Sequence, residues 1–340
     1  SAALARLQAG GSTNGEAARS RSKLSGAAVK TRLPRAVATI LAISSQVASG
    51  HVGLSAIVPV LHAMGHTVIA LPTVLLSNHP GHAHVAGQRV DPVQLRALVG
   101  ALSNNGRLGS VDAVLTGYLP TPTHVEFAIE TLTRVRAERA RVNSGARPIV
   151  QLCDPVLGDM PKGLYIDESA ANAIRDHLLP GATLTTPNTF ELGWLTGAPV
   201  DTLSACVAAA RSLNTEECIV TSAPADHHDA IGNLHIWGDP DAPPSGWQVT
   251  ANGAHPLPTA GTELAGSRRY PDVPHGTGDT FAALLLGHRM AATPAHDALA
   301  RATAGMALII EKSIGAAELA LAPNLQDAIF ARPHATKSVS

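Results

Sequence analysis

The sequence predicts an α/β protein: a doubly wound, mostly parallel central sheet with helices on both faces. Two observations carry that expectation. From Ala36 to Thr185, short runs of β-branched and small apolar residues alternate with longer amphipathic segments, the pattern of strand, crossover helix and strand. Polar clusters also fall directly after the strand runs: Ser44-Ser45, Ser77-Asn78-His79, Thr116-Gly117-Tyr118, Asp154-Pro155 and Thr186-Pro187-Asn188. Ligands of such sheets bind outside the carboxyl ends of the strands. Five clusters in register therefore predict one continuous active-site rim.

The elements follow in order. Ala36 to Ile43 is a buried strand, Ser55 to Met64 a helix that Gly65 stops, and Thr67 to Leu76 a strand interrupted by Pro72. Asp91-Pro92 opens a helix to Leu102, with an N-cap followed by proline at the first helical position. Val111 to Thr116 is a strand, Pro122 to Val142 an amphipathic helix, Pro148 to Cys153 a strand, Asp167 to Leu178 a helix and Ala182 to Thr185 a strand. Beyond Glu217 the periodicity weakens into short strands (Cys218 to Ser222, Ile231 to Trp237, Gly246 to Thr250), with a surface turn at Asp239 to Ser245. Helices return at Gly276 to Met290, Pro294 to Ile310 and Leu325 to Phe330.

Composition bounds the rest. Of 340 residues, 45% are hydrophobic and 15% charged, which supports a core and excludes a disordered chain. Aromatics are 3%, so Ala, Val, Leu and Ile must build that core. A formal charge of −1 shows no basic field for nucleic acid or a membrane surface. No apolar run reaches the roughly eighteen residues that a membrane span needs. Residues 1–34 carry six Lys and Arg against Glu16 amid Ser, Gly and Ala, the composition of a disordered tail or of a transit-type leader. One domain over residues 35–332 and a short tail over 333–340 follow. Cys153, Cys206 and Cys218 form no paired framework and fit a reducing compartment, the cytoplasm. The sixteen histidines are scattered; His82 with His84 and His227 with His228 lack the spacing of a zinc site.

Three segments carry chemistry. Gly276-Thr277-Gly278-Asp279 precedes a helical pattern, so its backbone can approach a phosphate closely with free N–H groups. A carboxylate beside phosphate is counterproductive unless it handles a proton; Asp279 then accepts the proton of an alcohol attacking a γ-phosphate. Taken alone, an Asp N-cap after a glycine turn accounts for it equally well. Asn188 and Glu191 share a helix face at a strand end and could support Mg²⁺, although a capping box explains them too. In Cys153-Asp154-Pro155-Val156-Leu157-Gly158-Asp159, two carboxylates could approach one cation, or simply form a solvated turn. There is no GxxxxGK[ST] loop and no protein-kinase signature.

GTGD before a helix with an upstream NxxE is similar to the ribokinase-like kinases of small alcohols. Within them the chain resembles the pyridoxal kinases, through AISSQV at 42–47, GHVG at 50–53, TVLLSNH at 73–79, LTGY at 115–118, CDPVLGD, TPNTFE and HGTGDTFAALLLG in family order. The resemblance runs from about Ala36 to Ile310. It implies ATP-dependent phosphorylation of the 5′-hydroxymethyl of pyridoxal, with Asp279 as base and Gly276, Thr277 and Gly278 steadying the developing charge. Ser45, Val52, Val74, Leu76, Pro80, Gly81 and Tyr118 would line the vitamer site. Asp154, Asp159, Thr186 and Glu191 would organise Mg²⁺ and a monovalent cation, K⁺ or Na⁺. Asn188, Thr221, Ser222, Thr277 and the stretch Ser267, Arg268, Arg269, Tyr270 would meet ATP. It also implies a homodimer. A kinase of hydroxymethylpyrimidine or another vitamin alcohol, and a non-catalytic binder of pyridoxal phosphate, are the alternatives. Against the family pattern, Pro80 stands for a threonine, Gln46 for His or Tyr and Val85 for Trp, which bears on substrate choice. The polar, Gly-punctuated run His79 to Val90 is expected to be a mobile flap that excludes water.

Overall fold

The structure, a computed structural model, describes residues 37–142, 145, 147–225, 230–238, 247–250, 253–256 and 261–339. The expected leader and the Asp239 to Ser245 turn lie outside the described residues.

The first half alternates as the sequence pattern requires. It runs β1 (Thr39–Val47), α1 (Leu54–Ala63), β2 (Thr67–Leu76), β3 (Gly87–Arg89), α2 (Pro92–Asn104), β4 (Ala113–Thr116), α3 (Pro122–Val142) and β5 (Val150–Cys153). A small hairpin, β6 (Gly158–Asp159) and β7 (Gly163–Leu164), precedes α4 (Glu168–Ala173), β8 (Leu184–Thr185), α5 (Thr189–Thr196) and α6 (Leu203–Arg211). The second half holds β9 (Glu217–Pro224), β10 (Ala230–Trp237), the hairpin β11 (Trp247–Thr250) and β12 (Gly253–Pro256), and β13 (Gly261–Arg268). The chain closes with α7 (Thr277–Met290), α8 (Ala295–Lys312), α9 (Leu321–Ile329) and β14 (Thr336–Ser338).

One ten-stranded sheet runs in the order β14-β13-β10-β9-β8-β5-β4-β1-β2-β3. From β9 across to β2 every neighbouring pair is parallel. Both margins turn antiparallel, through β3 on one side and β10, β13 and β14 on the other. The mostly parallel α/β fold expected from the sequence is thus what forms. Parallel strands need both faces covered, and β1 shows it: Ile40, Leu41, Ala42 and Ile43 are all fully buried. Leu41 and Ile43 join the core that Phe127, Leu132, Ile174 and Leu192 complete on one face. On the other, α1 packs on β1 and α7, and α8 on α7 and α9. Each such Leu, Ile or Phe contributes roughly 1.5–3 kcal/mol by burial.

Several expectations need adjusting. Pro72 does not interrupt β2. The strand β3 pairs only with Val74 to Leu76, so Pro72 has no partner on that side, where its missing N–H costs nothing. Directly after it the register shifts: Ser44 faces Pro72 and Gln46 faces Leu75, leaving Ser45 opposite an extra residue. The helix expected to Leu178 is α-helical only to Ala173 and continues as a wider turn, Ile174–Leu178. The last helix starts at Leu321 rather than Leu325, with Pro323 in its first turn where no N–H is needed. Residues 333–340, expected as a tail, contain β14, which pairs with Glu263 to Ala265.

A buried ionic knot fixes the far end of α7. Arg289 donates to both carboxylate oxygens of Glu217, at 2.7 and 2.8 Å, and His235 Nε2 lies 2.9 Å from the same carboxylate. Burial pushes the Glu217 carboxyl up, but the Arg289 guanidinium beside it outweighs that and leaves it at about 2. The helix is therefore anchored to β9 at one end while its other end faces the rim.

Candidate active site

The start of α7 is built by interlocking glycines. Gly276 is the N-cap, with φ 99° and no side-chain cap hydrogen bond. A Cβ there would stand 1.9 Å from the His51 carbonyl oxygen, so only glycine admits the contact between the HGTG and GHVG loops. Asp279 is consequently not the N-cap. It is the third helical residue, and its carboxylate accepts a hydrogen bond from the Gly53 backbone. The first-turn amides are left without a side-chain acceptor, and a Cβ on Gly278 would meet nothing within 4 Å. That is an anion site with room beside it. Burial raises the Asp279 carboxyl to about 6, close to the working range of a base at neutral pH.

Gly53 joins Asp279 to Ser45, expected on the vitamer side. At φ 55°, its position leaves no room for a Cβ, which would sit 2.2 Å from Ser45 O and Oγ. Ser45 and Asp279 therefore flank one glycine at the end of β1. Gln46, where the family pattern has His or Tyr, bonds Ser55 Oγ at 2.9 Å and ties the loop to α1. Ser44 Oγ accepts from the Tyr118 amide at 3.1 Å, and Thr73 Oγ1 donates to the Tyr118 carbonyl at 2.7 Å, fixing Tyr118 between β1 and β2. Val52 approaches Gly276, Val74 is buried and Leu76 is half-buried.

Beyond β2 the chain forms a loop with a tied neck. Ser77 N–H donates to Ala86 O at 2.7 Å, Ala86 N–H to Ser77 Oγ at 3.0 Å, and Asn78 Nδ2 to His84 O at 2.9 Å. Pro80 and Gly81 are exposed at its tip. Residues 87–89, expected within the flap, are the paired strand β3.

The carboxylates gather at the ends of β5 and β8. Asp154 is buried and accepts from Thr186 Oγ1 at 2.8 Å; burial, then the nearby charge of Asp279, raises it to about 7. Glu191 forms the capping box with Asn188, accepting from the Asn188 amide at 2.8 Å while Asn188 Oδ1 accepts from Glu191 N–H at 2.9 Å. Its other oxygen accepts from Leu157 N–H at 3.0 Å, and Asn188 Nδ2 donates to Gly158 O at 2.9 Å, so the pair also pins the DPVLGD loop. Burial and Asp154 push Glu191 well above the usual carboxylate range. Asp159 Oδ1 is buried with no protein partner.

These groups fit Mg²⁺, which takes few protein carboxylates and completes its shell with water and phosphate. Asp154 keeps an oxygen beyond its Thr186 bond and Asp159 offers an orphaned one, whereas both Glu191 oxygens are occupied by backbone amides. Among the described residues no set of three His, Cys, Asp or Glu forms a closed cage.

The residues expected to meet ATP divide. Thr221 bridges to Asn188 and its amide donates to Pro187 O at 2.8 Å, which brings β9 against the carboxylate loop. Thr221 and Ser222 oppose a single residue of β10, Asn233, in a bulge, and Ser222 adopts a left-handed φ of 58°. Ser267 and Arg268 lie two strands further out, lining an open cavity of about 850 Å³ with Arg332 and Lys337; Arg268 sits over Tyr270, 5.3 Å from the ring centroid. Arg269 is exposed beside them. Sequence reasoning gave no role to Gly53 or Ser44. The one available signal was their place in GHVG and AISSQV.

Comparison with known proteins follows from this geometry. The phosphomethylpyrimidine kinase family matches residues 48–228. Pyridoxal kinase PdxY of Leifsonia xyli is 31% identical over 304 residues, covering 88% of this chain and 98% of that one. The chain belongs to the pyridoxal kinase family. The pyridoxine/pyridoxal/pyridoxamine kinase of Bordetella pertussis is 36% identical over 293 residues, covering 84% and 94%. Pyridoxal kinase from Leishmania donovani in complex with ADP and pyridoxine superposes with a TM-score of 0.78 at 26% identity, over 89% of this chain and 99% of that one. Pyridoxal kinase from Entamoeba histolytica has the same fold, with a TM-score of 0.77 at 23% identity. The fold is ribokinase-like, and it is the pyridoxal kinase relatives that replace the alternative of a non-enzymatic binder with a phosphotransferase.

Proposed function

We propose that this chain transfers the γ-phosphate of ATP to the 5′-hydroxymethyl of pyridoxal, and of related vitamers, in vitamin B6 salvage. The observation that carries it is the placement of Asp279: one turn inside uncapped helix amides, bonded to Gly53, and one glycine away from Ser45. A carboxylate raised to about 6 is ionised at neutral pH yet basic enough to take the hydroxyl proton as attack proceeds. The amides of Thr277 and Gly278 face charge moving from the γ-phosphate to the leaving oxygen. Ser45, Val52, Val74, Leu76, Pro80, Gly81 and Tyr118 form the vitamer side. Asn188, Thr221, Ser222 and the Ser267 to Tyr270 segment form the nucleotide side.

Asp154 and Asp159 would hold Mg²⁺, with Thr186 orienting Asp154 and Glu191 holding the loop that carries Asp159; a monovalent cation would share this acidic corner. The metal, when bound, neutralises phosphate charge and lowers the raised carboxyl pKa values. Residues 35–332, with the β14 strand that completes their sheet, act as one catalytic domain in a homodimer. The buried, unpaired Cys153, Cys206 and Cys218 support a cytoplasmic setting.

The phosphomethylpyrimidine kinase match favours one second reading, a hydroxymethylpyrimidine acceptor. ADP release measured over pyridoxal, pyridoxine, pyridoxamine and hydroxymethylpyrimidine tests both. Turnover with the pyrimidine alone would replace the proposal; no ATP use with any of the four would end it.

A further inference from the structure

The loop after β2 meets the start of α7 through two imidazoles. His79 and His275 stack with ring centroids 3.8 Å apart and planes 26° from parallel. His275 is the residue before the Gly276 N-cap, so this contact joins the loop tip to the uncapped amides. Gly81 closes the junction. Its N–H donates to His79 Nδ1 at 3.0 Å, and a Cβ on it would lie 3.0 Å from His79 Nδ1 and 3.1 Å from His275 Nε2. A weaker fastening lies alongside, His82 Nε2 to Glu318 Oε1 at 3.8 Å, where both groups are exposed.

We propose that the His79–His275 stack is the latch that holds the 77–86 loop down over the phosphate-transfer site, with His275 acting as a positioning residue. The inference rests on the kinase reading. Three observations support it. Among the described residues the hydrogen bonds that tie the loop lie at its neck, through Ser77, Asn78 and Ala86, and beyond them stands the weak, exposed His82–Glu318 pair, so the tip needs a stronger hold. Residues 80–86 are exposed, so burial does not supply one. And His79 Nδ1 accepts a hydrogen bond, which requires the neutral ring that stacks best on another neutral ring. The groups facing the pair are consistent with that state: burial lowers both imidazoles, with Lys162 and His82 adding to the effect and Asp159 opposing it. A latch at this position excludes water from the γ-phosphate when closed.

His275→Ala removes the ring; His275→Phe keeps a stacking surface of similar kind. The test compares acceptor-independent ATP hydrolysis with phosphoryl transfer, and amide hydrogen exchange over residues 77–86. The alanine variant should raise the hydrolysis-to-transfer ratio by about two- to tenfold, the range an aromatic pair sustains, and speed exchange in the loop. The phenylalanine variant should restore both. His79→Ala, tested against His79→Phe, repeats the comparison from the other ring. Unchanged exchange and an unchanged ratio in both alanine variants would overturn the latch, as would a phenylalanine variant no better than alanine. If the wild-type chain transfers phosphate to no carbinol, the kinase reading fails, and loop exchange alone decides the latch.

Discussion

Asp279 hangs from the backbone of Gly53, and the proposed reaction is centred on that bond. It aims a carboxylate from the first turn of α7 toward the end of β1, where Ser45 touches the other side of the same glycine. Replacing Asp279 by Ala should lower kcat by about 10²–10⁴ with modest change in KM for the vitamer, as expected for a lost general base. Steady-state kinetics at saturating ATP measure it. Near-wild-type turnover would remove Asp279 from that role.

The raised carboxyl of Asp279 fixes a pH dependence. The base must be ionised, so kcat/KM should fall below about pH 6, approaching tenfold per unit. Stability moves in the opposite sense. A folded-state pKa above the usual carboxylate value means that the fold binds the proton more tightly than the unfolded chain. The resulting stabilisation is present at low pH and is lost as pH rises through about 6. Asp279→Asn should therefore gain Tm relative to wild type at pH 7.5 and lose that advantage near pH 4. Calorimetry at the two pH values checks the sign.

Gly276→Ala should be more damaging than a typical helix-cap change. Its Cβ would meet the His51 oxygen at 1.9 Å, and φ 99° is strained for alanine. The HGTG and GHVG loops must separate, displacing Gly53 from Asp279. Loss of at least about tenfold in kcat, beside a stability loss on the order of 1–3 kcal/mol, is expected from such backbone strain. Gly278→Ala, which meets open space, should fold normally and affect mainly ATP affinity.

At the other end of α7, Arg289→Met would leave Glu217 charged and fully buried. Breaking one side of such a pair costs about 3–5 kcal/mol, whereas replacing both with apolar residues recovers much of it. Urea denaturation of Arg289→Met and of Glu217→Leu/Arg289→Met separates the two cases.

What the sequence disclosed depended on range. The Gly276–Asp279 turn and the Asn188–Glu191 capping box are local, so their residue types announce them. The β1 to β8 half was legible because parallel strands, buried on both faces, read as continuous apolar runs. Contacts that span the chain were not: Thr186 reaches Asp154 over 32 residues and Tyr118 reaches Ser44 over 74, with no spacing rule to reveal either. The antiparallel margin was obscure for another reason. Its strands alternate weakly, and β14 has three residues, too few for any period. Of α5 only the capped start was read, because TFELGWLT has apolar residues all round and no polar stripe marks its length; α6 escaped notice because LSACVAAAR is short and rich in alanine.

The unbroken ladder from β2 to β10 carries one more implication. The strands that carry the proposed vitamer side and those that carry the proposed nucleotide side belong to a single hydrogen-bonded sheet. The separation of the two reactants is thus settled when the chain folds, and binding cannot squeeze them together by swinging one lobe against another. With the latch proposed above, traffic into and out of the site would fall to the ten-residue loop 77–86, and turnover would then be paced by how often that loop lifts.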